Sequence, residues 1–397
     1  MSIEDLIKEK YEQHRDEIIE IRRRLHENPE TGDEEYDTTE YLCGLMEKLG
    51  LRVGRPLKTG LTAVLDVPDR GGYCIGLRAD IDALPIKEGC DLPFKSKRDG
   101  VMHACGHDIH TASLVGAAIV LSDPEVREHL TAPVKFVFQP AEETDGGAQR
   151  MIDKGVLENP HVDRMAAFHC EPSLEAGKIA LKYGYTRASS DMFDIMVRGE
   201  SAHGAYPETG VDAIVAASAV VTAVQSIVSR NTNAFEPCVI TIGVFHAGSA
   251  GNVVCDDAFL SGTMRTVSPE VRANSMKRLE EIAVNTAAAY GAKAEVRFRP
   301  SYMALLNDDQ MTELLRDTAE KLIGKENVVI YDKAMMSVDD FSYFAKEVPS
   351  VYFFAGSGFE DRKNYSLHHG LFEADEKLFD TTVPLEALAV IEMEKRG

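Results

Sequence analysis

Met102-His103-Ala104-Cys105-Gly106-His107-Asp108-Ile109-His110 is the densest polar run in this 397-residue chain. Its Cys105 and His107 stand two residues apart, and a thiolate and an imidazole are both strong ligands for a borderline divalent metal such as zinc. A buried thiol beside a helix-capping histidine would leave the same pair. Further on, the apolar run Val134–Phe138 leads into Gln139-Pro140-Ala141-Glu142-Glu143. Adjacent carboxylates repel and commonly form a solvated pair on a loop, but at the end of a buried strand they need a cation. If one of them binds metal, the other can hold an attacking water and relay its proton, the division of labour of a metallohydrolase. Met165–Phe168 leads in the same way into His169, and Ser366-Leu367-His368-His369-Gly370 adds a histidine pair. Five ligands exceed the four of one tetrahedral zinc, whereas two metals sharing a bridge would use them all. Asp80, in Arg78-Ala79-Asp80-Ile81-Asp82, could orient a ligand histidine, pair with Arg78, or cap a turn. His203, just before a long apolar stretch, reads from its own surroundings as a cap or a surface residue.

Strands and helices must position these groups. The chain to about Lys48 places apolar residues at helical spacing (Ile3, Leu6, Ile7, Tyr11, then Ile18, Ile19, Ile21, Leu25). Short apolar runs follow at Cys74–Leu77, Val134–Phe138 and Met165–Phe168, with a helical stretch over Thr111–Leu121 between the first two. This alternation predicts an α/β layer with a largely parallel sheet, in which chemistry gathers at the carboxyl ends of the strands. From about Arg187 the order becomes strand (192–197), helix (211–228), two strands (239–244 and 259–264), helix (269–290) and strand (294–298). That is the split β-α-β-β-α-β order of a ferredoxin-like domain, here inserted. Helix (311–323), buried strand (351–354) and a final helix from Pro384 return to the first pattern. The expected fold class is therefore α/β: a mixed, largely parallel sheet with helices on both faces over residues 1–186 and 302–397, interrupted by an α+β domain over 187–301.

Composition narrows the partners. There are 43 Lys+Arg against 65 Asp+Glu, a formal charge of −22, which argues against nucleic acid and anionic membranes because both are recognised by concentrated basic surface. An apolar fraction of 44% with 27% charged residues is that of a folded globular chain. Ala213–Val228 is broken by Ser218, Thr222, Gln225 and Ser226 and is short for a bilayer span, so it reads as a buried helix. Seven cysteines without repeated spacing read as reduced thiols. With no apolar secretory segment at the N-terminus, the cytoplasm is expected by elimination.

Taken together, the chain resembles the M20 metallopeptidase family, in particular its amidohydrolase subfamily of aminoacylase, hippurate hydrolase and indole-acetyl-amino-acid hydrolase type. The matching stretches are Leu25–Glu30, Arg78–Pro85, Met102–His110, Gln139–Glu143, His169–Pro172, Gly199–Pro207, Gly248–Asp256, Gly262–Arg265 and Leu367-His368. The resemblance implies a two-metal catalytic domain and a lid domain through which the protein forms a homodimer. It implies Cys105, His107, Glu143, His169 and His368 as ligands, with Cys105 as the bridge and His368 preferred to His369 because it follows Leu367. Glu142 would be the general base and later acid. His203 would reach the partner subunit's site and stabilise the oxyanion, and Asn252 and Arg265 would bind the substrate carboxylate. The metals would be zinc, manganese, cobalt or nickel. Cys255, His369-Gly370 and Asp339 depart from residues common in the family, which bears on substrate preference and leaves the ligands intact.

The implied reaction is hydrolysis of the amide of an N-acyl amino acid with a free carboxylate. A dipeptidase or an N-acetyl-diaminopimelate-type deacetylase would use the same ligands. A catalytically silent, metal-stabilised binding protein is the rival of another class, and the Glu142–Glu143 pair speaks against it. Because the substrate is an anion, the site must be a local positive exception to the acidic whole.

Overall fold

The computed structural model describes residues 1–68, 70–144 and 146–395. The chain divides into two compact units, the first made of Met1–Gly184, Leu306–Lys333 and the chain from Asp340 on, the second of Tyr185–Leu305 and Ala334–Asp339.

The first unit is built on an eight-stranded mixed sheet. Its centre is four parallel strands in the order Val134–Gln139, Ile75–Asp80, Arg164–Glu175, Ser350–Gly358. Leu61–Leu65 and Arg52–Gly54 extend one side antiparallel, and Ile179–Leu181 with Val328–Ile330 extend the other. Ile75–Asp80, Val134–Gln139 and Ser350–Gly358 are buried at every position, as parallel strands covered on both faces must be. The helix His107–Ser122 is buried along nearly its whole length and shares one core with Ile3–Glu27 and Phe379–Met393 through Ile7, Ile18, Leu25, Val115, Val383 and Val390.

Three expectations shift. The long N-terminal helical pattern is two helices, Ile3–Glu27 and Tyr36–Lys48. Between them Pro29 and Gly32 interrupt the periodicity and Asp33 takes a left-handed φ of 66°, so the chain turns back toward the sheet. The strand expected to stop before His169 runs on to Glu175. A buried histidine ends the apolar run without breaking the hydrogen-bond ladder, since His169 pairs with Phe354. The last helix starts at Phe379, ahead of Pro384, which lies inside it. A 3₁₀ turn at Glu376–Leu378, capped by Asp375 accepting from Lys377 N at 3.0 Å, winds the chain before the proline is reached.

The second unit is a four-stranded antiparallel sheet in the order Cys238–Ala247, Asp257–Thr266, Ser189–Arg198, Lys293–Pro300. With helices Ala213–Val224 and Pro269–Ala289 it has the split β-α-β-β-α-β topology. Asp212 caps the first helix by accepting from Ile214 N at 2.9 Å and Val215 N at 3.2 Å. Ala213, Ala216, Ala217, Val220 and Val224 are buried, while Ile214 and Val215 are exposed, so this helix is buried on one face only. Among the described residues, Ala213–Asn231 is the one helical stretch long and apolar enough to cross a membrane.

Candidate metal centre

Strand register places the centre. Ile75 pairs with Arg164 and Arg78 with Ala167, so Asp80, two residues on, stands level with His169. Asp80 is also the register partner of Gln139, after which the chain leaves the sheet through Pro140 and Ala141 to Glu142 and Glu143. Ala141 holds a left-handed φ of 57°, which costs an L-residue about 1–2 kcal/mol. Cys105 and His107 flank Gly106, the residue before the buried helix His107–Ser122. Glycine is required there, since φ is 81° and a Cβ would lie 2.3 Å from Cys170 Sγ.

The hydrogen bonds decide which nitrogens are left for a cation. His107 Nδ1 bonds Asp82 Oδ1 at 3.1 Å, which leaves the Nε2 lone pair facing Glu143 Oε1 at 3.9 Å. His169 Nδ1 donates to the Cys170 carbonyl at 2.8 Å, which leaves Nε2 3.4 Å from Cys105 Sγ. Fixing the far ring nitrogen in this way is how proteins set the tautomer of a ligand histidine. His110 is different. Its Nδ1 bonds Asp80 at 2.6 Å and its Nε2 accepts from Cys170 N at 2.9 Å, so both nitrogens are spent.

His368, at a left-handed φ of 61°, brings Nε2 to 3.0 Å from Glu143 Oε1. Its neighbour His369 accepts from Leu371 N through Nδ1 and stacks on Tyr365 at 4.8 Å. Of the pair, only His368 is turned toward Glu143. Asp80 lies 3.7 Å from His107 Nε2, with no hydrogen bond to it; its bonds go to His110 and to Arg78 at 2.7 Å. Asp82, which the sequence did not single out, holds the ligand candidates instead, with one oxygen on His107 and the other accepting from Glu143 N at 2.9 Å. The only signal for it was its place two residues beyond Asp80.

The donor set fits cations. His107 Nε2 is buried and makes no hydrogen bond, an arrangement that is costly without a partner, and it faces Glu143 Oε1, whose contact is with His368. Cys105, His107 and His169 converge within 4.8 Å, as do Cys105, Glu143 and His368. Cys105 is common to both groups, so the residues suit two divalent cations with one shared ligand. Burial and the charge of Glu143 hold the Cys105 thiol well above its ordinary range, and a cation reverses that balance. Burial disfavours a charged His107, yet the charge of Asp80 pulls its pKa well above the usual value. Glu142 is buried beside this group, within reach of His107 and Glu143.

The remaining candidates lie in the second unit. His203 and Asn252 meet on a two-stranded ribbon, where Val253 pairs with His203 and Gly204 N donates to the Asn252 carbonyl at 2.8 Å. Arg265 sits on the strand Asp257–Thr266 with Nη1 buried and without a hydrogen bond.

The sequence pattern of peptidase family M20/M25/M40 matches residues 76–388. The chain is 38% identical to an N-acetyl-L-cysteine deacetylase of Bacillus subtilis, over 91% of this chain and 84% of that protein. It is 33% identical to thermostable carboxypeptidase 2 of Saccharolobus solfataricus over the full length of both. The crystal structure of a dinuclear metal-binding peptidase of the M20 family from Bacillus subtilis superposes with a TM-score of 0.84 at 32% identity, covering 96% of this chain and 99% of that one.

Proposed function

The chain belongs to peptidase family M20/M25/M40 and is a metal-dependent amidohydrolase; from that premise we propose that it releases the acyl group from N-acyl amino acids carrying a free carboxylate. The observation that carries this reading is the pair Glu142 and Glu143, one buried carboxylate beside another that turns to His107 and His368.

Cys105, His107, Glu143, His169 and His368 would hold two cations, with Cys105 shared. Thiolate and imidazole suit zinc, and manganese, cobalt and nickel are the competitors for the same donors. When bound, such cations polarise a carbonyl and acidify water. Glu142 is the general base: it takes the proton of the attacking water and returns it to the leaving amine nitrogen, a relay contributing about 10²–10⁴-fold. His203 accepts from Ala205 N through Nδ1 at 3.0 Å, which puts its ring proton on Nε2 and makes it a donor suited to an oxyanion. Arg265, with its unspent buried Nη1, and Asn252 would take the substrate carboxylate.

His203 would act on the site of a second copy, in a homodimer formed through the second unit. Exposed Ile214 and Val215 on its apolar helix support such a contact, and the mass in solution by light scattering tests it. Seven free, buried cysteines suit a reducing compartment such as the cytoplasm.

Likeness to a carboxypeptidase over the full chain favours peptides as the second reading. The deciding experiment is a panel of N-acetyl and N-benzoyl amino acids against dipeptides, with and without chelator, together with elemental analysis of protein purified without added metal. Chelator-sensitive release of acetate or benzoate, at higher kcat/KM than any dipeptide, is the expected result. Preference for dipeptides would replace this reading with the second.

A further inference from the structure

The loop that carries Glu142 and Glu143 is held from the far end of the sequence. Glu35, fully buried, accepts through Oε1 from Ala141 N at 2.8 Å, the amide of the left-handed residue next to Glu142. Around this bond the turn between the first two helices closes on the loop. A Cβ on Gly32 would meet Thr144 Oγ1 at 2.5 Å and Ala141 Cα at 3.1 Å, and Asp33 pairs with Arg150 at 2.8 Å. Glu35 is itself tied to the residue preceding the strand Leu61–Leu65, because Thr39 donates to the Glu35 carbonyl at 2.6 Å and accepts from Gly60 N at 2.8 Å. From the other side Asp82 accepts from Glu143 N. The two carboxylates thus grip successive parts of one loop, and only Asp82 also touches a ligand candidate.

We infer that Glu35 is a positioning residue for the hydrolytic reaction, acting through Ala141 N to aim the Glu142–Glu143 pair. A left-handed non-glycine residue persists only where its surroundings hold it, and here the bond from Ala141 N to Glu35 is the side-chain part of that hold, beside the bond from Gly146 N to the Ala141 carbonyl at 3.1 Å. Burial and then the charge on Asp82 push the Glu35 carboxyl up to about 7, so an uncharged amide is a close mimic near neutral pH. The inference rests on Glu142 as the base, and the test separates the two.

In the metal-loaded enzyme, Glu35→Ala is expected to lower kcat about 10²-fold, the cost of a misplacement near 1 Å, with KM within about threefold. Glu35→Gln, whose amide oxygen can still accept from Ala141 N, is expected to keep kcat within about threefold of the parent. Glu35→Asp, one methylene shorter, should resemble Ala. Amide hydrogen exchange in the metal-free chain supplies a readout independent of turnover: exchange in residues 139–144 should quicken in the Ala and Asp variants and stay unchanged in Gln. If Glu35→Ala does not fold, the contrast between Asp and Gln still decides. Normal kcat and unchanged exchange in Ala or Asp overturns the inference, and so does failure of Gln to restore both. Glu142→Gln is assayed beside them. If it is inactive while the Glu35 variants behave as the parent, the positioning role alone falls; if it is active, the base assignment falls first.

Discussion

Asp80 and Glu386 are both buried carboxyls of the first unit, one at the carboxyl end of the parallel sheet and the other on the helix Phe379–Met393, and their surroundings drive them in opposite directions. Burial raises the pKa of each. At Asp80 that is outweighed by His107 and Arg78, which hold the carboxyl well below the usual range. Asp108 behaves likewise: burial is overcome by Arg22 and His26. Glu386 has hydroxyls alone. Its Oε2 is 2.6 Å from Ser113 Oγ, which lies 2.8 Å from Thr382 Oγ1. Neither hydroxyl carries a charge to offset the loss of water, and burial pushes Glu386 up to about 8. A buried acid is therefore charged where the sheet supplies cations and neutral where two helices supply hydroxyls.

The same isosteric change, acid to amide, tests this contrast at three depths. The largest effect is expected for Glu142→Gln, where a charged carboxylate is the base: turnover should fall by about 10²–10⁴-fold, with bound metal and melting temperature unchanged. Near-normal turnover would remove Glu142 from that role. Next comes Asp80→Asn, which strips Arg78 of a buried carboxylate partner while Asp340 remains at 2.9 Å. Breaking a buried pair from one side costs about 3–5 kcal/mol, measurable as a shift in the urea midpoint; a loss below about 1 kcal/mol would show that Asp340 suffices.

At acid pH the smallest effect is expected for Glu386→Gln, and it grows as pH rises. The folded carboxyl titrates near 8 against the ordinary 4.5. Its contribution is thus complete below about pH 4.5 and is lost as pH rises toward 8. The parent should lose stability relative to the Gln variant by about 1.4 kcal/mol per pH unit across that window. Urea unfolding of both at pH 5 and pH 8 checks this, and parallel curves would mean that Glu386 is charged in the folded chain.

How much of this was readable beforehand differs from residue to residue. Cys105, His107, Glu142, Glu143 and His169 stand out because ligand types follow apolar runs or precede an apolar helix, and local pattern reports such placement. Glu35 and Asp340 do not stand out. Each sits among ordinary acidic residues, and its importance comes from bonds made across more than a hundred residues, Glu35 to Ala141 N and Asp340 to Arg78, Gln139 and Ala148 N. His169 shows the converse limit: its type was informative, but the strand continues past it because the ladder is made by backbone, which side-chain polarity does not record.

The sequence by itself determined the two-unit α/β and α+β plan, the chemistry of the donor set and the class of reaction, because apolar periodicity and residue type are local properties. Only the tertiary structure decided that Asp82 rather than Asp80 holds His107, and that His110 is spent on its neighbours. Those choices rest on which lone pair remains after every nearby donor and acceptor has been matched, and that matching exists only once the strands are in register.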